Sequence, residues 1–230
     1  GQFGSQNDFT AFMPLPLGSQ TSDHGLLCVN HEFVSAHMMF PGYTGGWDDA
    51  RDNVNQSQSE TMMAASGHSV VEIKKEKTGW KIIKGKYNRR ISLLNTAIDF
   101  EGPVRGNPKL KTSTDPNGFT VVGTLANCSG GVTPWGTILF CEENIEHYFT
   151  DTSKTPIKSS HHERYGLYSQ GQFPYFRFQK RFRLNEEPNE ANRFGWVVEY
   201  DPYTPNARPI KRTAMGRLQR EGATTVLDPS

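Results

Sequence analysis

A cysteine and two adjacent glutamates lie at opposite ends of one short apolar segment and could together bind a metal ion. Cys128 belongs to the glycine-rich run Asn-Cys-Ser-Gly-Gly, and Glu142 and Glu143 end the segment Gly136–Glu143 (GTILFCEE). Two carboxylates cannot be buried unpaired, because an isolated buried charge is very costly. Either both face water or a cation lies beside them. A thiol and carboxylates delivered by one strand therefore predict a metal site.

Two further glutamates stand next to predicted strands. Glu32 follows Asn30-His31, and Glu221 precedes Gly222. Carboxylates gathered at one end of several strands suit a hard cation such as calcium or ferric iron. For any single glutamate, a solvated acid at an exposed strand end is the simpler interpretation. The set as a whole, with its flanking glycines and asparagines, favours a cation site.

Cys128 has two interpretations. A thiolate suits iron or zinc, and the neighbouring glycines allow the backbone to approach closely. The alternative is a small buried side chain in a turn, the usual environment of a free cysteine. Cys28 and Cys141 lie inside apolar strands and are predicted to belong to the core. The total of three cysteines is odd, so a fully paired disulfide framework is excluded.

One histidine and two arginines complete the candidate site residues. His31 precedes Glu32, and a metal ligand or a hydrogen-bonded residue at a strand end fits it equally well. Arg217 and Arg220 lie just before Glu221, and their planar guanidinium groups match the geometry of phosphate. Ion pairing with nearby acids is the alternative for both arginines.

These residues must be positioned by β-structure. Short runs rich in Val, Ile and aromatic residues, bounded by Gly, Pro, Asn or Asp, predict nine strands. They are Gly25–Glu32, His68–Lys75, Trp80–Gly85, Phe119–Ala126, Gly136–Glu143, Tyr175–Leu184, Gly195–Asp201, Pro209–Met215 and Ala223–Asp228. Two hairpins are expected, His68–Lys75 with Trp80–Gly85 and Gly195–Asp201 with Pro209–Met215.

One helix is predicted, over Gln56–Ser66, with Ser57 or Ser59 as its N-cap. Helices and strands do not alternate along the chain, so a parallel α/β sheet is not expected. Repeated antiparallel hairpins are typical of a β-sandwich or a β-propeller. The expected fold class is therefore all-β.

The composition and net charge of the chain argue against some classes of binding partner. The 230 residues carry a net charge of +1, so no global field favours nucleic acid or an anionic membrane. Bases and aromatics alternate over Phe176–Leu184, which predicts a half-buried strand rather than a surface for single-stranded nucleic acid. No apolar run is long enough to cross a membrane, and no signal peptide begins at Gly1. An exported protein would therefore be represented here in processed form.

The order of motifs resembles that of the PhoX-type alkaline phosphatases, a family of secreted, calcium-dependent phosphomonoesterases. The most specific elements are Asn-His-Glu at 30–32, N-C-x-G-G-x-T-P-W-G-T at 127–137 and Cys-Glu-Glu-Asn at 141–144. The remaining matches are Asn7–Leu15, Gly25–Glu32, Gly67–Glu72, Asn88–Ile91, Gly195–Pro202 and Lys211–Arg217.

The resemblance implies a β-propeller, six-bladed in the full protein, with residues 1–230 forming the N-terminal part of one phosphatase domain. It implies export through the twin-arginine route to the periplasm or beyond, and an active site with iron and calcium at the propeller centre. The implied metal ligands are Cys128, Glu32, Glu143 and Glu221, with Glu142 and His31 as weaker candidates. Arg217 or Arg220 would contact the phosphate of a phosphate ester, and the reaction would be metal-assisted attack of an oxygen nucleophile on phosphorus.

Two departures from the family pattern bear on function. Arg220 stands where the family usually has a histidine before the last glutamate, which affects the local hydrogen bonding. The family's propeller is also longer than this chain, so we expect the remaining ligands from sequence after Ser230 or from a second chain. Two rival functions are a non-catalytic, calcium-stabilised propeller that binds a protein or glycan, and a calcium-dependent, lactonase-like hydrolase. Cys128 disfavours the lactonase, because calcium prefers oxygen ligands.

Overall fold

The computed structural model describes residues 3–43, 46–155, 159–167 and 170–228, so the two terminal positions Gly1 and Ser230 lie outside the described residues. Its strands are β1 (Asn7–Pro14), β2 (His24–His31), β3 (Gly67–Glu76), β4 (Gly79–Ile82), β5 (Arg89–Ser92), β6 (Ala97–Glu101), β7 (Thr120–Val122), β8 (Asn127–Val132), β9 (Ile138–Glu142), β10 (Val197–Tyr200) and β11 (Ile210–Arg212). The α-helices are α1 (Ala36–Met39), α2 (Trp47–Asn53), α3 (Gln56–Ala65), α4 (Ser160–Arg164) and α5 (Tyr175–Phe178). Turns of 3₁₀ helix cover Pro108–Leu110, Ile145–Tyr148, Lys180–Phe182, Glu190–Arg193 and Thr213–Met215.

The strands form two open sheets. The first sheet has the order β1-β2-β3-β4, with β5 also paired to β3, and the second has the order β7-β6-β11-β10-β9-β8. Neighbouring strands are antiparallel, except that β6 and β11 run parallel. The mostly β architecture agrees with the expected fold class.

Both predicted hairpins are confirmed. β3 and β4 pair with Lys75 opposite Trp80, and β10 and β11 pair with Val198 opposite Lys211. The predicted helix is also confirmed as α3, but its N-cap is Asn55 rather than a serine. The Asn55 side chain accepts from the Gln58 N–H, and the Gln58 side chain accepts from the Asn55 N–H. This reciprocal capping box outcompetes the serines, which lie one turn too late.

The strand predicted over Tyr175–Leu184 is wrong. This segment forms α5 and the 3₁₀ turn Lys180–Phe182. Pro174 precedes it with backbone angles already close to helical, and such a proline favours the start of a helix. Tyr175, in α5, and Phe182, in the 3₁₀ turn, are both fully buried. The aromatic residues of the segment are therefore buried from two short helical turns, with an extended residue, Gln179, between them.

The strand predicted over Ala223–Asp228 is also absent from the described residues. The segment instead runs beside β8, where the Thr225 hydroxyl donates to the Val132 carbonyl at 2.7 Å. It passes so close to Gly131 that a Cβ there would collide with the Ala223 carbonyl oxygen. The expectation that these glycines permit close backbone approach is thus confirmed.

One continuous core lies between the sheets and the helices. Cys28 is fully buried in it, as predicted, and Cys141 is fully buried in a small satellite cluster with Leu139 and Val197. Aromatic side chains from the 3₁₀ turns and α5, including Tyr148 and Tyr175, fill the region behind β8 and β9. No helix within the described ranges combines the length and apolar character needed to cross a membrane.

Candidate metal centre

The two sheets meet where four strand ends come together. Antiparallel pairing puts the start of β1 beside the end of β2, with Asn7 opposite His31. It likewise puts the start of β8 beside the end of β9. Asn30 joins the two sheets, because its side-chain amide donates to the Cys128 carbonyl oxygen at 2.6 Å. The candidate ligands at these strand ends are therefore brought to one place.

Three residues at this junction could share one metal ion. One potential ligand atom each from Asp8, Glu32 and Cys128 lie within 4.8 Å of one another. The Cys128 thiol donates to Asp8 Oδ2 at 3.4 Å. Cys128 is buried, Glu32 is half-buried and Asp8 is exposed, so the cluster opens to solvent on its carboxylate side. We refer to Asp8, Glu32 and Cys128 as the acidic cluster.

Two predicted ligands adjoin the acidic cluster. Glu143 hydrogen-bonds the Cys128 thiol, and its negative charge acts on Glu32. Glu221 is exposed and also adds negative charge near Glu32. Three carboxylates thus act on the Cys128 thiol, and a fourth, that of Glu221, acts on Glu32. Such a concentration of negative charge is relieved by protons or by a cation.

The electrostatics of the cluster reflect this crowding. Burial, followed by the charges of Asp8 and Glu143, raises the pKa of the Glu32 carboxyl to about 6. Burial, followed by the charge of Glu32 and the contact with Asp8, raises the pKa of the Cys128 thiol well above its ordinary value. A bound cation would reverse both effects, because it stabilises thiolate and carboxylate together. The donor set therefore fits a metal ion, with one soft sulfur and several hard oxygens.

Glu142 does not join the acidic cluster, which corrects its prediction as a metal ligand. Its carboxylate is fully buried and accepts two hydrogen bonds from Lys211 Nζ, at 2.7 and 2.9 Å. It also accepts from the Thr124 hydroxyl and from the backbone N–H groups of Gly195 and Trp196. Successive residues of a strand point to opposite faces, so Glu142 and Glu143 separate.

His31 likewise lies outside the acidic cluster. It is fully buried, with Nδ1 bonded to Asn7 Oδ1 and Nε2 bonded to Ser69 Oγ, both at 2.7 Å. Burial, and then the charge of Arg90, lowers the pKa of His31 to about 4. Both ring nitrogens are thus engaged in hydrogen bonds within the protein.

The two arginines differ in environment. Arg217 donates from Nε to the Phe194 carbonyl at 2.7 Å and from Nη2 to the Ala191 carbonyl at 2.9 Å. Its guanidinium also stacks 3.6 Å from the centre of the Tyr165 ring. These contacts hold the loop before β10, while the buried Nη1 of Arg217 bonds none of the described residues. Arg220 donates one hydrogen bond, to the Met215 carbonyl at 2.8 Å, and stays partly open to solvent.

Asp8 is the site residue that the sequence analysis missed. It lies near the start of β1, a strand whose alternation was not recognised, and 120 positions before Cys128. A signal was present, since Asn7-Asp8-Phe9 opens the first motif of the family resemblance. An acid at a strand start is indistinguishable from a solvated surface residue until the partner strand is known.

Comparison with known proteins identifies the family of the chain. A family model described as "Alkaline phosphatase PhoX" matches residues 1–230, and the chain therefore belongs to the PhoX alkaline phosphatase family. Members of this family are metal-dependent phosphatases and are generally secreted or periplasmic. No curated protein sequence matches the chain.

A solved structure, described as Pseudomonas fluorescens PhoX in complex with vanadate, a transition state analogue, is similar to the chain. It has 34% sequence identity to the chain and a TM-score of 0.83. The match covers 96% of this chain and 37% of the solved one, so the chain spans well under half the length of that protein. The family resemblance inferred from the motifs is confirmed.

Proposed function

We propose that the protein containing this chain is a metal-dependent phosphomonoesterase that releases inorganic phosphate from phosphate esters. The observation that carries the proposal is the acidic cluster, a buried thiol among carboxylates at the junction of two sheets. Family membership and the similarity to a PhoX protein complexed with vanadate support it.

We propose iron and calcium as the metals. Cys128 would hold iron through its sulfur, since a thiolate prefers a transition ion to calcium. Glu32, Glu143, Glu221 and Asp8 would supply oxygen to iron or calcium. When bound, such metals neutralise the charge of the phosphate and activate an oxygen nucleophile.

Arg220 is our candidate for the phosphate contact. Its segment passes beside β8, because a Cβ at Gly222 would lie 3.5 Å from the Ser129 Cβ. A guanidinium that gives only one hydrogen bond to the described residues can donate to two phosphate oxygens in a fork. Arg217 would support this segment from behind through its hydrogen bonds to backbone carbonyls.

The wider architecture belongs to the same proposal. We propose that the two open sheets are blades of a β-propeller that continues through sequence outside the 230 residues, on the same polypeptide or on a second chain. That sequence would supply further ligands, since the matched PhoX protein is much longer than this chain. A periplasmic or extracellular location would follow from the family.

The test compares two buried cysteines in the full-length protein. Cys128→Ala removes the thiol of the acidic cluster, and Cys28→Ala makes the same change in the core of β2, away from the cluster. Hydrolysis of p-nitrophenyl phosphate and bound metal are measured for both variants. We expect Cys128→Ala to lose iron and at least about 100-fold in activity, because it removes a direct ligand. Cys28→Ala should keep both.

Other results would select the rival functions. Bound calcium without iron and without ester hydrolysis would indicate a non-catalytic, calcium-stabilised binding module. Hydrolysis that needs calcium only and survives Cys128→Ala would indicate a lactonase-like enzyme. Either result would contradict the proposed phosphatase site.

A further inference from the structure

Tyr148 connects two halves of the candidate metal centre without being a ligand itself. It ends the 3₁₀ turn Ile145–Tyr148 and is fully buried. Its hydroxyl donates to the Glu32 carbonyl oxygen and accepts from the Ala126 N–H, both at 3.2 Å. One phenol oxygen therefore bridges the end of β2, in the first sheet, and the residue just before β8, in the second.

Ala126 holds the backbone of the second part of the candidate metal centre, which carries Cys128 and Glu143. Its φ is +47°, in the left-handed region that residues other than glycine rarely adopt. In this conformation its carbonyl oxygen accepts from the Cys128 N–H at 2.9 Å and from the Glu143 N–H at 3.0 Å. The backbones that carry these two candidate ligands are thus fixed to one strained residue. Such strain persists where the surrounding structure holds it, and it is frequent at functional sites.

The ring of Tyr148 is held in place by packing against other aromatic rings. It packs against Phe173, with ring centres 4.6 Å apart, and against Tyr175, at 5.9 Å. A ligand set works when its supporting shell is locked by packing and hydrogen bonds. Here the aromatic packing fixes the position of the Tyr148 ring. Its phenol oxygen in turn fixes the backbone at Glu32 relative to the backbone at Ala126.

We propose that Tyr148 is a positioning residue for the metal centre. Its hydroxyl sets the separation between Glu32, on one side, and Cys128 and Glu143, on the other, so that they can bind the same ion. The inference rests on the proposed function, because it assigns a role at the same site.

The experiment uses Co²⁺ as a spectroscopic probe in the full-length protein freed of metal. Absorption from thiolate to Co²⁺ reports whether Cys128 binds the ion, and titration gives the dissociation constant. Tyr148→Phe removes only the bridging hydroxyl. Tyr175→Phe is the matched control, since Tyr175 is equally buried in the same aromatic cluster and its hydroxyl bonds none of the described residues of the metal centre.

We expect Tyr148→Phe to weaken Co²⁺ binding about 10- to 100-fold and to shift the thiolate band, as loss of an outer-shell partner does. Tyr175→Phe should stay within about twofold of the wild type. Equal affinities and spectra for the two variants would overturn the positioning role while leaving the metal site intact. A wild-type protein without a band that depends on Cys128 would overturn the proposed function itself and, with it, this role.

A second substitution distinguishes a positioning role of the Tyr148 hydroxyl from a role in folding. Ala126→Gly should relieve the left-handed strain, because glycine adopts this conformation freely. The double variant Tyr148→Phe with Ala126→Gly should therefore fold at least as well as Tyr148→Phe, measured by circular dichroism, yet still bind Co²⁺ weakly. Recovery of wild-type affinity in the double variant would show that the hydroxyl only supports folding, and would overturn the proposal.

Discussion

Glu142 ends β9 and Glu143 follows it directly, but the two carboxylates have opposite electrostatic environments. Glu142 is fully buried, with Lys211 and three hydrogen-bond donors around it. Glu143 adjoins Asp8, Glu32 and a thiol, and that group contains no base. The charge of Glu142 is therefore neutralised by residues of the fold. Glu143 lies among other acids, where a cation could neutralise it, and this contrast marks the cluster as a candidate functional site.

The buried pair should dominate stability. Lys211→Met leaves the Glu142 carboxylate buried without its cation, and also removes the hydrogen bond from Nζ to the Arg193 carbonyl. Breaking one partner of a buried pair costs about 3–5 kcal/mol. We expect the free energy of unfolding, measured by urea denaturation at neutral pH, to fall by this amount.

Two controls test whether burial is the reason. Arg208→Met breaks the pair between Arg208 and Asp99, whose side chains are 56% and 36% exposed. It should cost less than about 1 kcal/mol. Adding Glu142→Gln to Lys211→Met should recover part of the loss, because the unpaired charge is gone. Equal losses for Lys211→Met and Arg208→Met would remove the distinction drawn between the two carboxylates.

A buried histidine on the structural side should make stability depend on pH. His68 is fully buried, stacked on Phe140 and bonded through Nδ1 to Asn30 Oδ1 at 2.7 Å. Burial, and then the electrostatic effects of His31 and Arg90, lower the pKa of His68 to about 3, from an ordinary value of 6.5. Between these two pH values the unfolded chain binds a proton that the folded chain does not.

Stability should therefore fall as the pH is lowered through this window. The contribution of His68 is full above about pH 6.5 and declines toward pH 3, by up to about 1.4 kcal/mol per pH unit. His68→Asn keeps an amide donor toward Asn30 but cannot titrate. Unfolding free energies between pH 4 and 7 should have a smaller slope in this variant. An unchanged slope would mean that His68 does not titrate on unfolding.

The site residues that can be predicted from the sequence are those with a local signal. Cys128 and Glu32 were found because a thiol or acid beside glycine and asparagine at a strand end is an unusual local pattern. Asp8 was missed because its meaning depends on pairing between β1 and β2 and on contact with β8, far away in the chain. Glu142 was misassigned because nothing local shows which of two adjacent acids turns inward to meet Lys211.

In the fold, too, features that depend on residues close together in the sequence were predicted, and features that depend on distant residues were not. Hairpins such as β3 with β4 were predicted, since their partners are adjacent in the sequence. The parallel pairing of β6 with β11 joins segments more than 100 positions apart and has no local signal. The helix α5 shows a further limit, because the alternation around it is typical of a strand and yet the segment forms two short helical turns.

The smallest expected effect on stability gives the sharpest comparison. Glu143→Gln removes one of several repelling charges and breaks no ion pair, so the metal-free protein should change by less than about 1 kcal/mol, toward higher stability. Glu142→Gln, the same substitution one residue earlier, leaves the buried Lys211 ammonium without its counter-ion and should cost several times more. Urea denaturation without metal measures both.

Adding metal should distinguish the two variants by how much stability each gains from the bound ion. At a concentration 100 times the dissociation constant, a bound ion stabilises the fold by about 2.7 kcal/mol. We expect Glu142→Gln to keep this increment, because its carboxylate lies outside the acidic cluster. Glu143→Gln should lose about half of it, as tenfold weaker binding would produce. A full increment in Glu143→Gln, or a reduced one in Glu142→Gln, would mean that the two carboxylates are not divided between site and scaffold.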